Sequence, residues 1–237
     1  MENWWGDVLT PVTQADTAEE IFDILRAAAH HLGFDYCAYG LRLPTPFTNP
    51  RIYMINNYPE EWQRKYGQAG YLTSDPTVLH AQRSQLPFVW DESLYQNSRP
   101  FWEEARAHGL TVGWAQSALD GMGTGGLLTL ARSHEPITRA ELEAKELRMS
   151  RLLNIAHESL SRIYIRREFS LGEVKLTPRE REILCWYADG KTAVEISEIL
   201  LISLDTVKFH TKNVLSKLQT PNKTSAVLRA AMLGLLR

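Results

Sequence analysis

The sequence lacks the features that mark secreted, membrane-spanning or metal-stabilised chains. It has only two cysteines, Cys37 and Cys185, which lie far apart in apolar runs and predict buried free thiols and no disulfide framework or metal site. Its fourteen glycines and eleven prolines are too few for a low-complexity chain. The longest weakly charged stretch, residues 107–131, still carries His108 and Asp120, so no membrane span is expected. The first residues are acidic and aromatic, unlike a secretion signal, and predict a cytoplasmic protein without a membrane partner.

The charge is small and unevenly distributed. With 237 residues, 44% hydrophobic and 23% charged, the chain has a globular composition and room for one or two domains. Its formal charge of −2 argues against nucleic-acid binding along the whole length. Residues 172–237 carry ten Lys and Arg against seven Asp and Glu, which leaves a net −5 for the rest. A basic segment behind an acidic body fits either an anionic partner or an ordinary solvated surface.

The first two thirds of the chain predict helices before, between and after strands. A capping box at Thr17 begins a helix that Gly33 ends, and helical spacing of apolar residues predicts one long helix over residues 138–166. Strands are predicted over residues 34–43, 51–57, 110–119 and 127–132. The fold class is therefore α/β, an N-terminal α-β-α sandwich over residues 1–165. A break in periodicity predicts a linker over residues 166–174.

The C-terminal segment, residues 175–237, predicts a small all-α domain of four helices. Its first two helices begin with capping boxes at Thr177 and Thr192. The third displays Lys208 and Lys212 opposite its buried side, as a helix that reads the major groove requires. A four-helix bundle with a solvated lysine face would give the same pattern, so periodicity leaves both interpretations open.

This segment resembles the LuxR-type helix-turn-helix. The similarity lies in the run from Leu176-Thr-Pro-Arg-Glu to Gly190-Lys191-Thr and in Thr206-Val207-Lys208-Phe209-His210. It implies that the third helix enters the major groove of double-stranded DNA and that Lys208 and Lys212 contact bases or phosphates. The other implied DNA-binding residues are Lys191, Thr192, Thr206, His210 and Thr211. For His210, a packed position within the domain is an equally good interpretation.

The preceding segment resembles the autoinducer-binding domain of LuxR-type quorum-sensing regulators. Matching residues are Asn57-Tyr58-Pro59-Glu60-Glu61-Trp62, Asp75-Pro76, Trp90, Phe101-Trp102 and Gly113. A phospho-receiver domain, which also precedes this type of helix-turn-helix, needs an acidic cluster at strand ends that Asp35 alone does not supply. The resemblance implies an N-acyl-L-homoserine lactone as the ligand, with no cofactor.

The resemblance also assigns roles in an apolar pocket. Asp75 accepts the ligand amide N–H, Trp62 donates to the lactone carbonyl, Tyr58 donates to the acyl carbonyl, and Thr129 bonds near the amide. The side chains expected around the ring and first carbons are Tyr66, Trp90, Phe101, Trp102, Ala105 and Leu110. Those expected along the acyl tail are Ala38, Gly40, Val78, Leu127 and Trp114. From the residues alone, Asp75 is explained as a helix N-cap and the aromatic side chains as packed core.

The sequence therefore predicts a ligand-responsive transcriptional regulator that binds dyad-symmetric promoter DNA as a homodimer. Polar groups left unsatisfied around an apolar void would each cost about 1–3 kcal/mol, so the ligand would raise the folded, dimer-competent population. The long helix and the last helix are the candidate dimer surfaces, and RNA polymerase is a further candidate partner. An activator is predicted, with a repressor left open.

Two other classes of function compete with this interpretation. An enzyme such as a lactone hydrolase needs a nucleophile or a metal beside the lactone, and neither is recognisable. A binding scaffold whose last helices serve only for dimerisation remains as the second alternative. The run from Gly121 to Gly126 matches a dinucleotide-binding fingerprint, but a strand follows it, so a hairpin turn is expected.

Overall fold

An antiparallel sheet organises the N-terminal part of the computed structural model, which describes residues 4–91, 94, 96, 98–169 and 174–236. Contacts divide the chain into two units, residues 1–164 and 165–237. Within the described residues the sheet has five strands in the order β2-β1-β5-β4-β3. They are β1 (Tyr36–Arg42), β2 (Ile52–Asn56), β3 (Phe88–Val89), β4 (Val112–Leu119) and β5 (Gly125–Arg132).

Helices precede, interrupt and follow these strands. They are α1 (Trp4–Gln14), α2 (Ala18–His31), α3 (Glu60–Gln68), α4 (Pro76–Ala81), α5 (Arg99–Ala107) and α6 (Arg139–Phe169), with a 3₁₀ turn at Tyr71–Thr73. The predicted capping box is present: the Thr17 hydroxyl accepts the Glu20 N–H, and the Glu20 carboxylate accepts the Thr17 N–H. The predicted α/β class of this unit is confirmed.

The strand register decides which residues face which side of the sheet. Ala38 pairs with Thr129 and Gly40 pairs with Leu127, so these four residues lie on one face. Tyr39 lies between them in sequence, faces the other side and is fully buried. Because the period of a strand is two, each strand supplies one set of side chains to a site and the other set to the core.

The C-terminal unit is helical, as predicted. Its helices are α7 (Pro178–Ala188), α8 (Ala193–Ile199), α9 (Leu204–Lys217) and α10 (Lys223–Met232). Both predicted capping boxes, at Thr177 and Thr192, are present, and the Ser203 hydroxyl caps α9 by accepting the Thr206 N–H. Buried Ile183, Ile196 and Val207 pack together where the first three of these helices meet.

Helix α6 is longer than predicted and α8 is less buried. Residues 166–169 of the predicted linker are helical, because Arg166 and Arg167 favour helix and place positive charge in its last turn. Residues 170–173 of that linker lie outside the described part of the chain. Ile199 lies three positions after buried Ile196, on the same side of the helix, and is 42% exposed. Helix α8 has seven residues, and Ile196 is the one that is buried.

A buried ion pair ties the end of the sheet to the beginning of α6. The Arg132 guanidinium donates to both carboxylate oxygens of Glu141, at 2.9 and 2.8 Å. These hydrogen bonds, with another from Lys145, lower the pKa of Glu141 to about 2.

Among the described residues, no helix combines the length and apolarity that crossing a membrane requires.

The turn between α8 and α9 contains a residue in the left-handed region. Leu201 has φ of 52°, and its side chain is 90% exposed. Such a conformation costs a residue other than glycine about 1–2 kcal/mol. We expect Leu201→Gly to raise the free energy of unfolding by about 0.5–1 kcal/mol, because the strain relieved exceeds the added chain entropy. Urea denaturation of the full chain measures the difference.

Leu86→Gly is the matched control for this prediction. Leu86 is 73% exposed and does not have positive φ, so its replacement removes a similar exposed side chain without relieving strain. This variant should be neutral or less stable than the parent. An equal gain in both variants, or a loss in Leu201→Gly, would contradict the prediction.

Candidate functional site

A cavity of about 90 Å³ lies on one face of the N-terminal sheet. Strands β1, β2 and β5 contribute to one wall, and α3, the 3₁₀ turn, α4 and α5 contribute to the other. Fourteen of the fifteen residues that the resemblance implied for ligand binding line it: Ala38, Gly40, Tyr58, Trp62, Tyr66, Asp75, Val78, Trp90, Phe101, Trp102, Ala105, Leu110, Leu127 and Thr129.

Trp114 is the exception among the side chains expected along the acyl tail. It pairs with Leu130, one position away from cavity-lining Thr129, and therefore faces the opposite side of the sheet. Its indole N–H donates to the Glu146 carboxylate on α6 at 3.4 Å. The prediction that Trp114 lines the pocket is wrong. Adjacent residues of a strand, such as Thr129 and Leu130, point to opposite faces of the sheet, and Trp114 shares the face of Leu130.

Six further residues line the cavity and were not predicted. Three of them alternate along β2, a period-two pattern that could have identified them once β2 was placed next to β1. The other three lie on or beside the helical segments that cover the sheet, where no sequence signal marks them. The six are Ile52, Met54, Asn56, Gln63, Leu72 and Thr77.

Asp75 is the buried anionic group of the cavity, with 9% of its surface exposed. One carboxylate oxygen accepts the Thr77 N–H at 2.8 Å, which caps α4, and the other accepts the Tyr66 hydroxyl at 2.9 Å. Burial raises the pKa of Asp75 above its ordinary value, although these donors oppose the shift. The expectation that this carboxylate is unsatisfied without a ligand is wrong, because the fold itself supplies its donors.

Tyr58 and Thr129 form a second polar position in the same cavity. Burial of the Tyr58 hydroxyl raises its pKa, and the negative charge of Asp75 adds to the shift, while a hydrogen bond with the Thr129 side chain opposes it. The phenol is therefore a neutral hydrogen-bond donor at physiological pH. Since Thr129 is its partner, the Tyr58 hydroxyl is not unsatisfied either.

Trp62 lies in the aromatic cluster that covers the cavity. Its ring is 2% exposed and contacts Tyr66 and Phe101 edge-on, with centroid distances of 5.9 and 5.6 Å. Among the described residues, none accepts a hydrogen bond from its indole N–H. Of the three polar groups expected to await a ligand, Trp62 is the one whose donor the described structure leaves available.

A polar contact joins the helices over the cavity. The Tyr71 hydroxyl, in the 3₁₀ turn, donates to the Glu104 carboxylate of α5 at 2.8 Å. Lys65 on α3 lies 3.4 Å from the same carboxylate. The hydrogen bond from Tyr71, together with Lys65, lowers the pKa of Glu104. Three covering segments are thus tied to one another at their exposed side.

The second candidate site is the exposed face of α9. Val207 and Val214 are buried on one side of this helix, whereas Lys208 and Lys212 are exposed on the other. The Lys208 ammonium lies 3.7 Å from the Asp205 carboxylate, both largely exposed, which is a weak and easily exchanged pair. Phe209 is 61% exposed, a position that no sequence prediction included.

The threonines predicted to bind DNA have partners inside the unit. Thr192 donates to the Glu195 carboxylate at 2.8 Å, Thr206 lies 2.8 Å from the Ser203 hydroxyl, and Thr211 donates to the Val207 carbonyl at 2.7 Å. Two other predicted residues are half-buried: Lys191, 4.0 Å from the Glu195 carboxylate, and His210, whose ring contacts Phe209. The exposed members of the predicted set are Lys208, Lys212 and Thr192, and of these only the two lysines are cationic.

Comparison with known proteins accounts for both units. Residues 17–160 match the autoinducer binding domain, and residues 174–230 match the bacterial regulatory proteins of the luxR family. The chain is 44% identical to transcriptional activator protein AnoR of Acinetobacter nosocomialis, over 100% of both chains.

A crystal structure of Escherichia coli SdiA superposes with a TM-score of 0.81 at 36% identity, covering 99% of this chain and 98% of that one. A structure of SdiA in complex with octanoyl-rac-glycerol gives the same score and identity, over 99% and 96% of the two chains. These relatives are regulators, so the prediction that the chain is not an enzyme is confirmed. With an autoinducer-binding domain followed by a LuxR-type helix-turn-helix, the chain belongs to the LuxR family of quorum-sensing transcriptional regulators.

Proposed function

We propose that this regulator is an activator that binds an N-acyl-L-homoserine lactone in the N-terminal cavity and dyad-symmetric promoter DNA as a homodimer. The observation that carries the ligand proposal is the convergence of one carboxylate and two neutral donors on a single apolar cavity. Asp75, Tyr58 and Trp62 all line it, and aliphatic and aromatic side chains form most of the remaining wall.

The hydrogen-bonding groups of the cavity complement those of an acylated lactone. Such a ligand offers one amide N–H and two carbonyl oxygens on an aliphatic chain. Asp75 is an acceptor for the N–H, the Trp62 indole can only donate, and the neutral Tyr58 phenol can donate to the second carbonyl. The number and direction of these bonds therefore suit the ligand, and the apolar wall suits its chain.

The ligand would stabilise the folded state by adding new contacts, and not by supplying partners to polar groups that lack them. Asp75 and Tyr58 already have partners in the fold. The favourable terms are therefore burial of the acyl chain, about 0.8 kcal/mol for each methylene, a new bond from Trp62 and one further hydrogen bond that Asp75 accepts from the ligand N–H. Binding to the folded state alone stabilises it by RT ln(1 + [L]/Kd). Ligand occupancy thus raises the population of the folded, DNA-binding form.

An acylglycerol is a second candidate ligand, because SdiA has been crystallised with octanoyl-rac-glycerol. Its hydroxyls would donate to Asp75 and its ester carbonyl would accept from Trp62 or Tyr58. Thermal unfolding of the purified full chain with lactones of several chain lengths, with octanoylglycerol and with solvent alone compares the two classes. We expect a rise in Tm with at least one lactone that exceeds the rise with the glycerol. No rise with any lactone would refute the lactone proposal.

Gly40 provides a test of where the acyl chain lies. It is a cavity-lining strand residue, and a Cβ added there would meet nothing within 4 Å. We expect Gly40→Val to weaken binding of long-chain lactones by about tenfold and of short-chain lactones much less, because two methyl groups occupy space that about two methylenes would use. Titration calorimetry against a chain-length series measures the difference.

Gly125→Val is the matched control, since Gly125 is also a strand glycine with nothing within 4 Å of an added Cβ but does not line the cavity. It should leave the chain-length profile unchanged. A uniform loss across all chain lengths in Gly40→Val would show that the tail lies elsewhere.

For DNA binding, the supporting observation is the exposed pair Lys208 and Lys212 on a helix that follows a short turn. Cationic side chains one turn apart on such a helix are suited to phosphates or base edges in the major groove. Two copies of the unit would read two half-sites, which requires a dimer, with α6 and α10 as the proposed surfaces. Contact with RNA polymerase follows from the proposed activator role.

A further inference from the structure

We propose that Tyr66 is a positioning residue, whose hydroxyl holds the Asp75 carboxylate as an oriented acceptor for the ligand N–H. This inference rests on the proposed lactone-binding function and adds a role that the resemblance did not assign. Tyr66 was expected only to enclose the ligand ring, as one of several aromatic walls.

The two carboxylate oxygens of Asp75 accept hydrogen bonds from two different helices, α4 and α3. One accepts the Thr77 N–H at 2.8 Å, and the Thr77 hydroxyl and the Val78 N–H lie on the same helical side. The other oxygen accepts the Tyr66 hydroxyl at 2.9 Å. Among the described residues, Tyr66 is therefore the donor that reaches Asp75 from a different element, α3, and fixes the carboxylate plane against rotation.

The Tyr66 ring is itself held in place. It is 9% exposed, and its centroid lies 5.9 Å from that of Trp62, 6.0 Å from Tyr71 and 6.3 Å from Phe101, all in edge-on contacts. A ring confined on three sides has few rotamers, so its hydroxyl is a preorganised donor. Because Trp62 packs against this ring, Tyr66 also fixes the separation between the lactone donor and the amide acceptor.

The charge of Asp75 depends on such donors. The titratable groups that face it are the hydroxyls of Tyr66, from α3, and of Tyr58, which precedes α3. Among the described residues, no Lys, Arg or His forms an ion pair with it. Burial raises the pKa of Asp75, and the Tyr66 hydrogen bond opposes the shift. Removing that bond raises the pKa further.

The direction of the pH effect follows from this arrangement. The ligand N–H needs the ionised carboxylate, so affinity is highest above the pKa of Asp75 and falls as the pH drops through it. Without the Tyr66 hydroxyl, the pKa is higher and the loss of affinity begins at a higher pH. A residue that only fills space would weaken binding equally at every pH.

The experiment compares Tyr66→Phe with Tyr71→Phe by calorimetric titration of N-octanoyl-L-homoserine lactone, from about pH 5 to about pH 8. Tyr71→Phe is the matched control, because it removes a hydroxyl from the same aromatic cluster whose partner is Glu104 and not Asp75. We expect Tyr66→Phe to bind about tenfold more weakly at pH 7, with its affinity profile displaced to higher pH. Tyr71→Phe should keep the parent profile.

A double-mutant cycle with Asp75→Asn gives an independent measure. If Tyr66 acts through Asp75, Tyr66→Phe causes no further loss of affinity in the Asp75→Asn background. A pH-independent loss in Tyr66→Phe, or additive losses in the cycle, would assign Tyr66 to packing alone and overturn the inference. Tighter binding by Tyr66→Phe would also overturn it, since the hydroxyl would then compete with the ligand. Failure of the parent chain to bind the lactone at any pH would overturn the proposed function as well.

Discussion

Asp75→Asn is expected to weaken lactone binding by about 10- to 150-fold without lowering the stability of the ligand-free protein. The charge-assisted bond to the ligand N–H is worth about 1.5–3 kcal/mol, and an amide oxygen replaces it with a weaker neutral acceptor. Asparagine remains a good N-cap, so α4 keeps its bond to the Thr77 N–H. Titration calorimetry gives the loss of affinity, and thermal unfolding without ligand gives the stability.

The sign of the stability effect follows from the raised pKa of Asp75. A carboxyl whose folded-state pKa is raised contributes stability below its unfolded value, and this contribution is lost as the pH rises through the folded value. At neutral pH the buried charge is therefore a cost, which asparagine removes. We expect the ligand-free variant to be at least as stable as the parent at pH 7, with the difference shrinking in acid.

Asp120→Asn is the matched control for this prediction. The Asp120 carboxylate also accepts two backbone N–H groups, from Met122 and Thr124 at 2.8 and 2.9 Å, but it does not line the cavity. Lactone affinity should be unchanged in this variant. If Asp75→Asn instead loses stability and affinity together, Asp75 serves only as a helix cap.

The paired change Lys208→Ala and Lys212→Ala is expected to weaken operator binding by at least about 30-fold. Two contacts of a recognition helix to bases together contribute about 2 kcal/mol or more. If both lysines contact phosphates, the slope of log affinity against log salt falls by about one for each lost contact. Fluorescence anisotropy of promoter DNA, titrated at several salt concentrations in saturating ligand, measures both quantities.

Arg26→Ala with Arg139→Ala is the charge-matched control. These arginines belong to the N-terminal unit, are largely exposed and pair with exposed acidic residues on their own helices. The control removes the same two charges, so it separates a local contact from the net charge of the chain. Equal losses of DNA affinity in both double variants would show that α9 does not contact the DNA. Unchanged affinity in the lysine variant would favour a C-terminal unit that serves only for dimerisation.

Much of the fold was predictable because its signals are local. The capping boxes at Thr17, Thr177 and Thr192 depend on residues three positions apart, and all three are present. Helix α1 was not predicted, and it contains Pro11, a residue that argues against a helix interior. The end of α6 at Phe169 was missed because the apolar pattern that predicted the helix stops before it. Arg166 and Arg167 favour helix by their own preference and extend it beyond that pattern.

The candidate site was predictable in most of its membership but not in its hydrogen bonds. The other residues implied by the resemblance share one cavity, whereas Trp114 faces away from it. In the sheet, Trp114 lies opposite Leu130 and not opposite cavity-lining Thr129, and the strand register that decides this is not visible in the sequence. The unsatisfied Asp75 was a wrong expectation, since its second partner is Tyr66 on another helix.

By itself, the sequence determined where the capped helices begin, which family the chain belongs to and which residue types the pocket contains. These properties depend on neighbours along the chain, whose preferences and caps act over a few residues. Only the tertiary structure decided that Tyr66 satisfies Asp75, that Trp62 keeps an available donor and that Thr211 is engaged within its own unit. Burial and hydrogen bonding between separate elements depend on strand register and on the packing of helices over the sheet, which local patterns do not specify.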